Sequence, residues 1–209
     1  MKPVVEPIKS SIRYLLRQVA IWLDKLSNGR LTPNAVTVFG LLMHLPIAIM
    51  IARGRFVLAA VLLVIFGLFD TLDGELARVQ KRTSDVGGLL DAATDRFKEV
   101  MLYAGAAFFL AGGEHPQSAV WAVVACGAAL SVSYIKSKGE TMVAARGKQL
   151  PYSTLNRMFS DGVLPFEMRM FVLLVGLLTG QLLIAVAGIA ILATLTAFQR
   201  LATIASKLK

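Results

Sequence analysis

Thiol and imidazole are nearly missing from this chain, which has one cysteine, Cys126, and two histidines, His44 and His115, in 209 residues. No internal disulfide can form, and the Cys and His clusters that hold zinc are excluded. Cys126 reads as a packing residue within an apolar run, and the isolated histidines carry no signal. Charge is also scarce at 17%, and acid scarcer than base, with 13 Asp and Glu against 22 Lys and Arg. There is no low-complexity tract, internal repeat or stretch resembling a soluble domain. The first residues include Lys2, Glu6 and Lys9 and do not read as a cleavable leader, so the first apolar run is expected to direct insertion.

Hydrophobic residues fill 56% of the chain, in runs too long for a soluble protein of this size. The sequence predicts an all-α polytopic membrane protein with six transmembrane helices, over about 35–52, 56–78, 87–111, 116–135, 165–179 and 182–205. The turn at 53–55 holds Arg53 and Arg55, whereas those at 112–115 and 179–181 hold no Lys or Arg. The other basic residues fall on the opposite side, which the positive-inside rule makes cytoplasmic. Both termini and the acidic residues considered below are then expected to face the cytoplasm, in the cytoplasmic membrane. The formal charge of +9 suits anionic lipid headgroups or phosphorylated substrates. Because the basic residues follow membrane topology, no nucleic-acid partner is expected.

Two regions are expected, an amphipathic juxtamembrane helix over 1–31 and a six-helix membrane domain over 32–209. In the first, Val5, Ile8, Ile12, Leu15, Val19, Trp22 and Leu26 recur at three- and four-residue steps, with Lys9, Arg13 and Arg17 along another face. This pattern predicts an N-terminal helix lying at the membrane interface and ending near Asn28-Gly29. A surface helix packed on protein is the plainer alternative. Thr32-Pro33-Asn34 then reads as a helix entry, with the threonine as N-cap and proline first in the helix. Its free N–H groups give Asn34 a second use, facing an anion. The longest polar connection, 136–162, is expected to extend the fourth span and break near Pro151.

The acidic residues are few but patterned. Asp70 and Asp73 lie three apart, and Asp91 and Asp95 four apart, so each pair shares a helix face. An antiparallel hairpin centred near position 82 would set Asp73 opposite Asp91 and Asp70 opposite Asp95. Four carboxylates in one small volume repel one another, and either protons or divalent metal must relieve them. Oxygen donors without His or Cys nearby suit Mg²⁺ or Mn²⁺. The plain alternative is headgroup-level charge paired with Arg78, Arg82, Arg96 or Lys98. Asp85 and Glu75 fall outside this geometry and read as solvated or packing residues. Gly74 and Gly87 suit a close approach of helices or of substrate, and the same register puts Ala77 opposite Gly87. Arg78, one turn beyond Gly74, suits a diphosphate or serves as a topology signal.

Written out, Asp70, Asp73, Gly74, Ala77, Arg78, Gly87, Asp91 and Asp95 form the pattern D-x2-D-G-x2-A-R-x8-G-x3-D-x3-D, eight specified positions across 26 residues. This resembles the signature of the CDP-alcohol phosphotransferase family with every position filled. The resemblance extends to the six-span layout and the amphipathic arm. It implies transfer of a substituted phosphoryl group from a CDP-linked lipid to an alcohol, with release of CMP, on one or two Mg²⁺ or Mn²⁺ ions. By the same resemblance Asp70, Asp73 and Asp91 would be metal ligands. Asp95 would lie near the metal and act as general base. Asn34, Asp73, Gly74, Ala77, Arg78 and Gly87 would line the donor site. A homodimer is also implied.

Lys136, Arg169 and Arg200 lie near the cytoplasmic ends of the last three spans, and together suggest a phosphorylated acceptor. Singly, each is also what a snorkelling anchor looks like. Ser133-Tyr134-Ile135-Lys136 and Thr196-Ala197-Phe198-Gln199-Arg200 resemble the branch of the family that uses inositol phosphate. A tandem Glu-Arg repeat frequent in that branch is reduced here to Glu167-Met168-Arg169. Glycerol 3-phosphate is the alternative acceptor of the same chemistry. A divalent-cation or proton transporter is the alternative of another class, but it calls for acids continuing across the bilayer, and the first, fourth and sixth spans have none.

Overall fold

The computed structural model describes residues 2–145 and 162–207, which form helices joined by turns, with no strand among them. The helices are α1 (Lys2–Leu26), α2 (Pro33–Ala52), α3 (Phe56–Gly67), α4 (Phe69–Val79), α5 (Asp85–Ala111), α6 (Ala119–Ala145), α7 (Phe166–Leu178) and α8 (Leu182–Lys207). A 3₁₀ turn, Pro116–Ser118, precedes α6. Residues 1–47 with 61–101 form one compact unit, and 48–60 with 102–209 a second.

In the first unit, α1 packs on α4. The α1 helix stops where Asn28 and Gly29 take positive φ, 50° and 71°. These are the left-handed positions of a helix C-terminus, readily taken by Gly and Asn. Thr32 then caps α2 through its Oγ1, which accepts from the Ala35 N–H at 3.2 Å. Ala20 of α1, Val36 of α2, and Leu72 and Leu76 of α4 form one buried cluster. Gln80, just past α4, donates to Asp24 Oδ1 and to the Leu31 carbonyl, both at 2.8 Å, tying the end of α4 to the α1–α2 turn. Ile12, Leu15, Val19, Trp22 and Leu26 of α1 are exposed.

In the second unit α6 and α8 pack along their length, and α7 packs on α8. Close approach is allowed at Gly139, where a Cβ would lie 2.7 Å from Ile204 Cδ1. The extension of the fourth span is seen as far as Ala145. The expected break near Pro151 lies outside the described residues.

Among the described residues four helical stretches are long and apolar enough to cross a membrane: Pro33–Ala52, Phe56–Val79, Pro116–Val143 and Leu182–Ser206. The second of these is not one regular helix, because α3 ends at Gly67 and α4 restarts at Phe69. Two of the six expected spans fall short of that measure for physical reasons. The first half of α5 carries Asp85, Asp91, Asp95, Arg96, Lys98 and Glu99, and α7 has 13 residues, about 20 Å against a hydrocarbon core of about 30 Å.

Candidate metal centre and nucleotide pocket

Helices α4 and α5 bring three of the four aspartates together. Asp70, in the first turn of α4, and Asp91 and Asp95, one turn apart on α5, each offer an oxygen within 4.8 Å of the others. Two oxygens in this group, Asp91 Oδ1 and Asp95 Oδ1, are buried and accept no hydrogen bond among the described residues. Oxygen atoms left this way mark a place where a further cation or donor belongs. Three carboxylates with no sulfur or imidazole are a hard-cation donor set, so the residues present fit a divalent ion.

The fourth aspartate stands differently from the expected register. Asp73 is buried on α4, and its Oδ2 accepts from the Thr37 hydroxyl of α2 at 2.5 Å. Asp70 meets Asp95 as expected, Asp91 joins them in a triangle, and Asp73 is braced by Thr37 and lines the same pocket as Asp70 and Asp91. Spacing along one helix gives depth and not rotation about the axis, so it did not report that Asp91 joins Asp70 and Asp95.

Two basic residues of α5 join the cluster. Lys98 is 2% exposed and its Nζ is bonded to Asp70 Oδ1, with Asp95 Oδ1 at 3.6 Å. Arg96 reaches Asp95 at 3.6 Å and Glu99 more closely, at 2.5 Å. Part of the plain salt-bridge reading of the sequence is therefore present in the structure. Arg78 and Arg82 take no part in it, since Arg78 pairs with Glu75 at 2.6 Å and Arg82 donates to the Gly29 carbonyl at 3.2 Å. Asp85 is exposed at the start of α5, but Glu75 is more than a packing residue. It is 3% exposed on the α1 side of α4, with Arg13 of α1 3.7 Å away besides Arg78.

Beside the carboxylates opens a cavity of about 420 Å³, whose lining includes Asn34, Asp73, Gly74, Ala77, Arg78 and Gly87, together with Asp70 and Asp91. All six residues expected around the donor thus line one pocket. A Cβ on Gly74 would have Arg78 Nη2 3.5 Å away, and one on Gly87 would have Ser84 Oγ at 3.3 Å and Asn34 Oδ1 at 3.5 Å. Those neighbours are polar atoms of the pocket, so the glycines keep its walls thin, and the expected crossing of Ala77 on Gly87 is absent from these contacts. The sequence reading missed Thr37, whose only advance signal was its place one turn inside α2. It met Lys98 only as one of several salt-bridge partners.

The acceptor candidates lie in the second unit. Arg169, 1% exposed on α7, donates to the Leu164 carbonyl at 3.2 Å. Arg200, buried on α8, donates to the Val132 carbonyl of α6 at 3.3 Å and passes beside Gly162. Thr196, one turn before it, accepts from the Leu164 N–H at 2.9 Å. Lys136, one turn past Val132, lies 3.9 Å from Glu140. Arg169 thus bonds the 162–164 segment and Arg200 passes beside it, while Lys136 lies one turn along α6 from the carbonyl that Arg200 reaches.

The family model for CDP-alcohol phosphatidyltransferases matches residues 30–201, and the chain belongs to that family of transferases. The phosphatidylinositol phosphate synthase of Cutibacterium acnes is 31% identical over 123 residues, covering 57% of this chain and 58% of that protein. The chain spans about half the length of the curated relatives it matches. Among solved structures, the phosphatidylinositol phosphate synthase of Mycobacterium tuberculosis in complex with manganese and citrate has a TM-score of 0.77 at 22% identity, over 91% of this chain and 89% of that one. The same protein with CDP-DAG bound gives 0.76 at 22% identity, over 91% and 94%. At that identity the likeness is one of fold.

Proposed function

We propose that this protein is an integral-membrane enzyme of phospholipid synthesis. It moves a phosphatidyl-type group from a CDP-linked lipid, CDP-diacylglycerol or an archaeal equivalent, to the hydroxyl of a phosphorylated polyol and releases CMP. The observation that carries this reading is the junction of the Asp70, Asp91 and Asp95 cluster with a pocket lined by all six donor-site candidates. Asp70, Asp91 and Asp95, with Asp73 beside them, would hold one or two Mg²⁺ or Mn²⁺ ions, whose charge would neutralise the donor diphosphate and the departing CMP. Manganese in the solved relative is in keeping with this.

The chain's own groups divide the rest of the work. Asn34, at the second position of α2, and the side-chain-free faces of Gly74 and Gly87 receive the nucleotide. Arg78 meets the diphosphate by giving up part of its pairing with Glu75. Asp95 accepts the proton of the attacking hydroxyl as general base. Arg169, Arg200 and Lys136 hold the acceptor's phosphate, and inositol phosphate is the favoured acceptor, supported by the relatives named for that product. Glycerol 3-phosphate would use the same cations. A transporter finds no support in a carboxylate group confined to the adjoining turns of α4 and α5.

Six spans, a cytoplasmic site and termini, α1 lying at the membrane interface and pairing of two chains complete the proposal. The exposed apolar residues of α1 support the interfacial placement. The test supplies purified protein in detergent with CDP-diacylglycerol, Mn²⁺ and separate acceptors, and measures CMP. Release with inositol phosphate and not with glycerol 3-phosphate is expected. The opposite preference overturns the acceptor, and release with neither overturns the activity.

A further inference from the structure

We propose that Arg13 of α1 is a standby counter-ion for Glu75, taking over that carboxylate when Arg78 turns to the donor, which makes α1 a working part of the donor site. The exchange rests on the reading of the 420 Å³ cavity as the donor site and says how Arg78 becomes free to act there.

Glu75 is the fixed member of the group. It lies on α4 at 3% exposure, and its charged partners among the described residues are two arginines, Arg78 at 2.6 Å and Arg13 at 3.7 Å. Both guanidiniums have room to turn, because the side chains of Arg78 and Arg13 are 54% and 70% exposed. A second cavity, of about 710 Å³, opens between α1 and α4, and Arg13, Glu75 and Arg78 all line it. The two arginines also line the donor cavity, and Glu75 does not. They stand between the two spaces with the carboxylate behind them. Arg13 sits two turns before Ala20, on the face of α1 that packs on α4, so the seating that buries Ala20 with Leu72 and Leu76 also places Arg13.

Charge creates the need for a standby. A carboxylate with so little access to water is costly to leave without a cation. With Arg78 as its sole partner, every binding of the donor through Arg78 would carry that cost. Arg78 Nη2 already lies 3.5 Å from where a Cβ of Gly74 would be, at the wall of the donor cavity, so a small turn delivers it to the diphosphate. Arg13 then closes on Glu75. Seating α1 does not account for this pair, because an ion pair with one partner 70% exposed adds little to stability. Arg82, which also lines the donor cavity, is turned to the Gly29 carbonyl and takes no part.

The experiment measures CDP-diacylglycerol binding to the full chain in mixed micelles with Mn²⁺ and no acceptor, by isothermal titration calorimetry, as a double-mutant cycle. Arg13→Ala should raise the donor dissociation constant about tenfold, the size of one hydrogen bond to a charged group, and Arg13→Lys should restore it. Glu75→Gln leaves no charge to be compensated, so adding Arg13→Ala to it should change donor affinity by no more than about twofold. Arg78→Ala, which removes the donor contact itself, should weaken binding in both backgrounds. An equal loss for Arg13→Ala in both backgrounds would make Arg13 a direct donor contact and overturn the exchange. Unchanged affinity of Arg13→Ala in the wild-type background would overturn it as well. Thermal midpoints in detergent check the fold of each variant, and Arg13→Gln replaces Arg13→Ala if the latter fails to fold. No binding by the folded wild type would instead overturn the donor reading itself.

Discussion

A carboxylate's neighbours decide what it can do, and the four aspartates here are no longer equivalent once their partners are known. Asp95 keeps a buried oxygen without a hydrogen bond, whereas Asp73 is held by Thr37. Asp95→Asn should lower CMP release by ~100-fold or more while donor binding persists, since general-base catalysis contributes about 10²–10⁴. Full activity with bound donor would remove Asp95 as the base. Thr37→Val removes the hydroxyl that orients Asp73. Partners of metal-site carboxylates are worth about 10–100-fold in metal affinity, so Mn²⁺ binding should weaken within that range and recover in Thr37→Ser. An unchanged dissociation constant would make Thr37 a packing residue. The sequence made the aspartates legible because two three- to four-residue spacings are local. Thr37 and Asp73 are 36 residues apart, and no local pattern joins them.

At the scale of elements, α4 does two jobs at once. One face supplies Asp70, Asp73 and Gly74 to the pocket, and Leu72 and Leu76 pack under α1 and α2. Leu76 is fully buried, and Leu76→Ala should cost about 2–5 kcal/mol, read as a lower thermal midpoint in detergent. An unshifted midpoint would show that α1 is not seated on α4 in solution. Donor affinity should fall with it, because the same helix positions Asp70 and Asp73. The break between α3 and α4 was not legible, since 56–78 reads as one apolar run until Asp70. The α1 terminus and the start of α2 were legible, because Asn28-Gly29 and Thr32-Pro33 act through their own backbone.

For the whole molecule, the proposals to be tested are its orientation in the membrane and the acceptor that it takes. With Cys126 as the lone thiol, a Cys126→Ala background gives clean labelling. Ser84→Cys should react with a membrane-impermeant reagent only from the cytoplasmic side, and Ser118→Cys only from the other. Reversed labelling would overturn the assigned orientation. Arg200→Lys keeps the charge but loses the planar fork, so the acceptor KM should rise about tenfold with little change in the donor KM. An unchanged acceptor KM would take Arg200 out of the phosphate site.

Spacing, hydropathy and charge along the chain were enough for an all-helical protein with membrane-spanning stretches, and for the eight-position motif that carries its family. Those features are periodic or local, and a single helix expresses them. The packing of the helices decided that Asp91 joins Asp70 and Asp95, that Lys98 reaches both Asp70 and Asp95, and that Thr37 braces Asp73. Each of those is a contact between helices, and only their packing determines it.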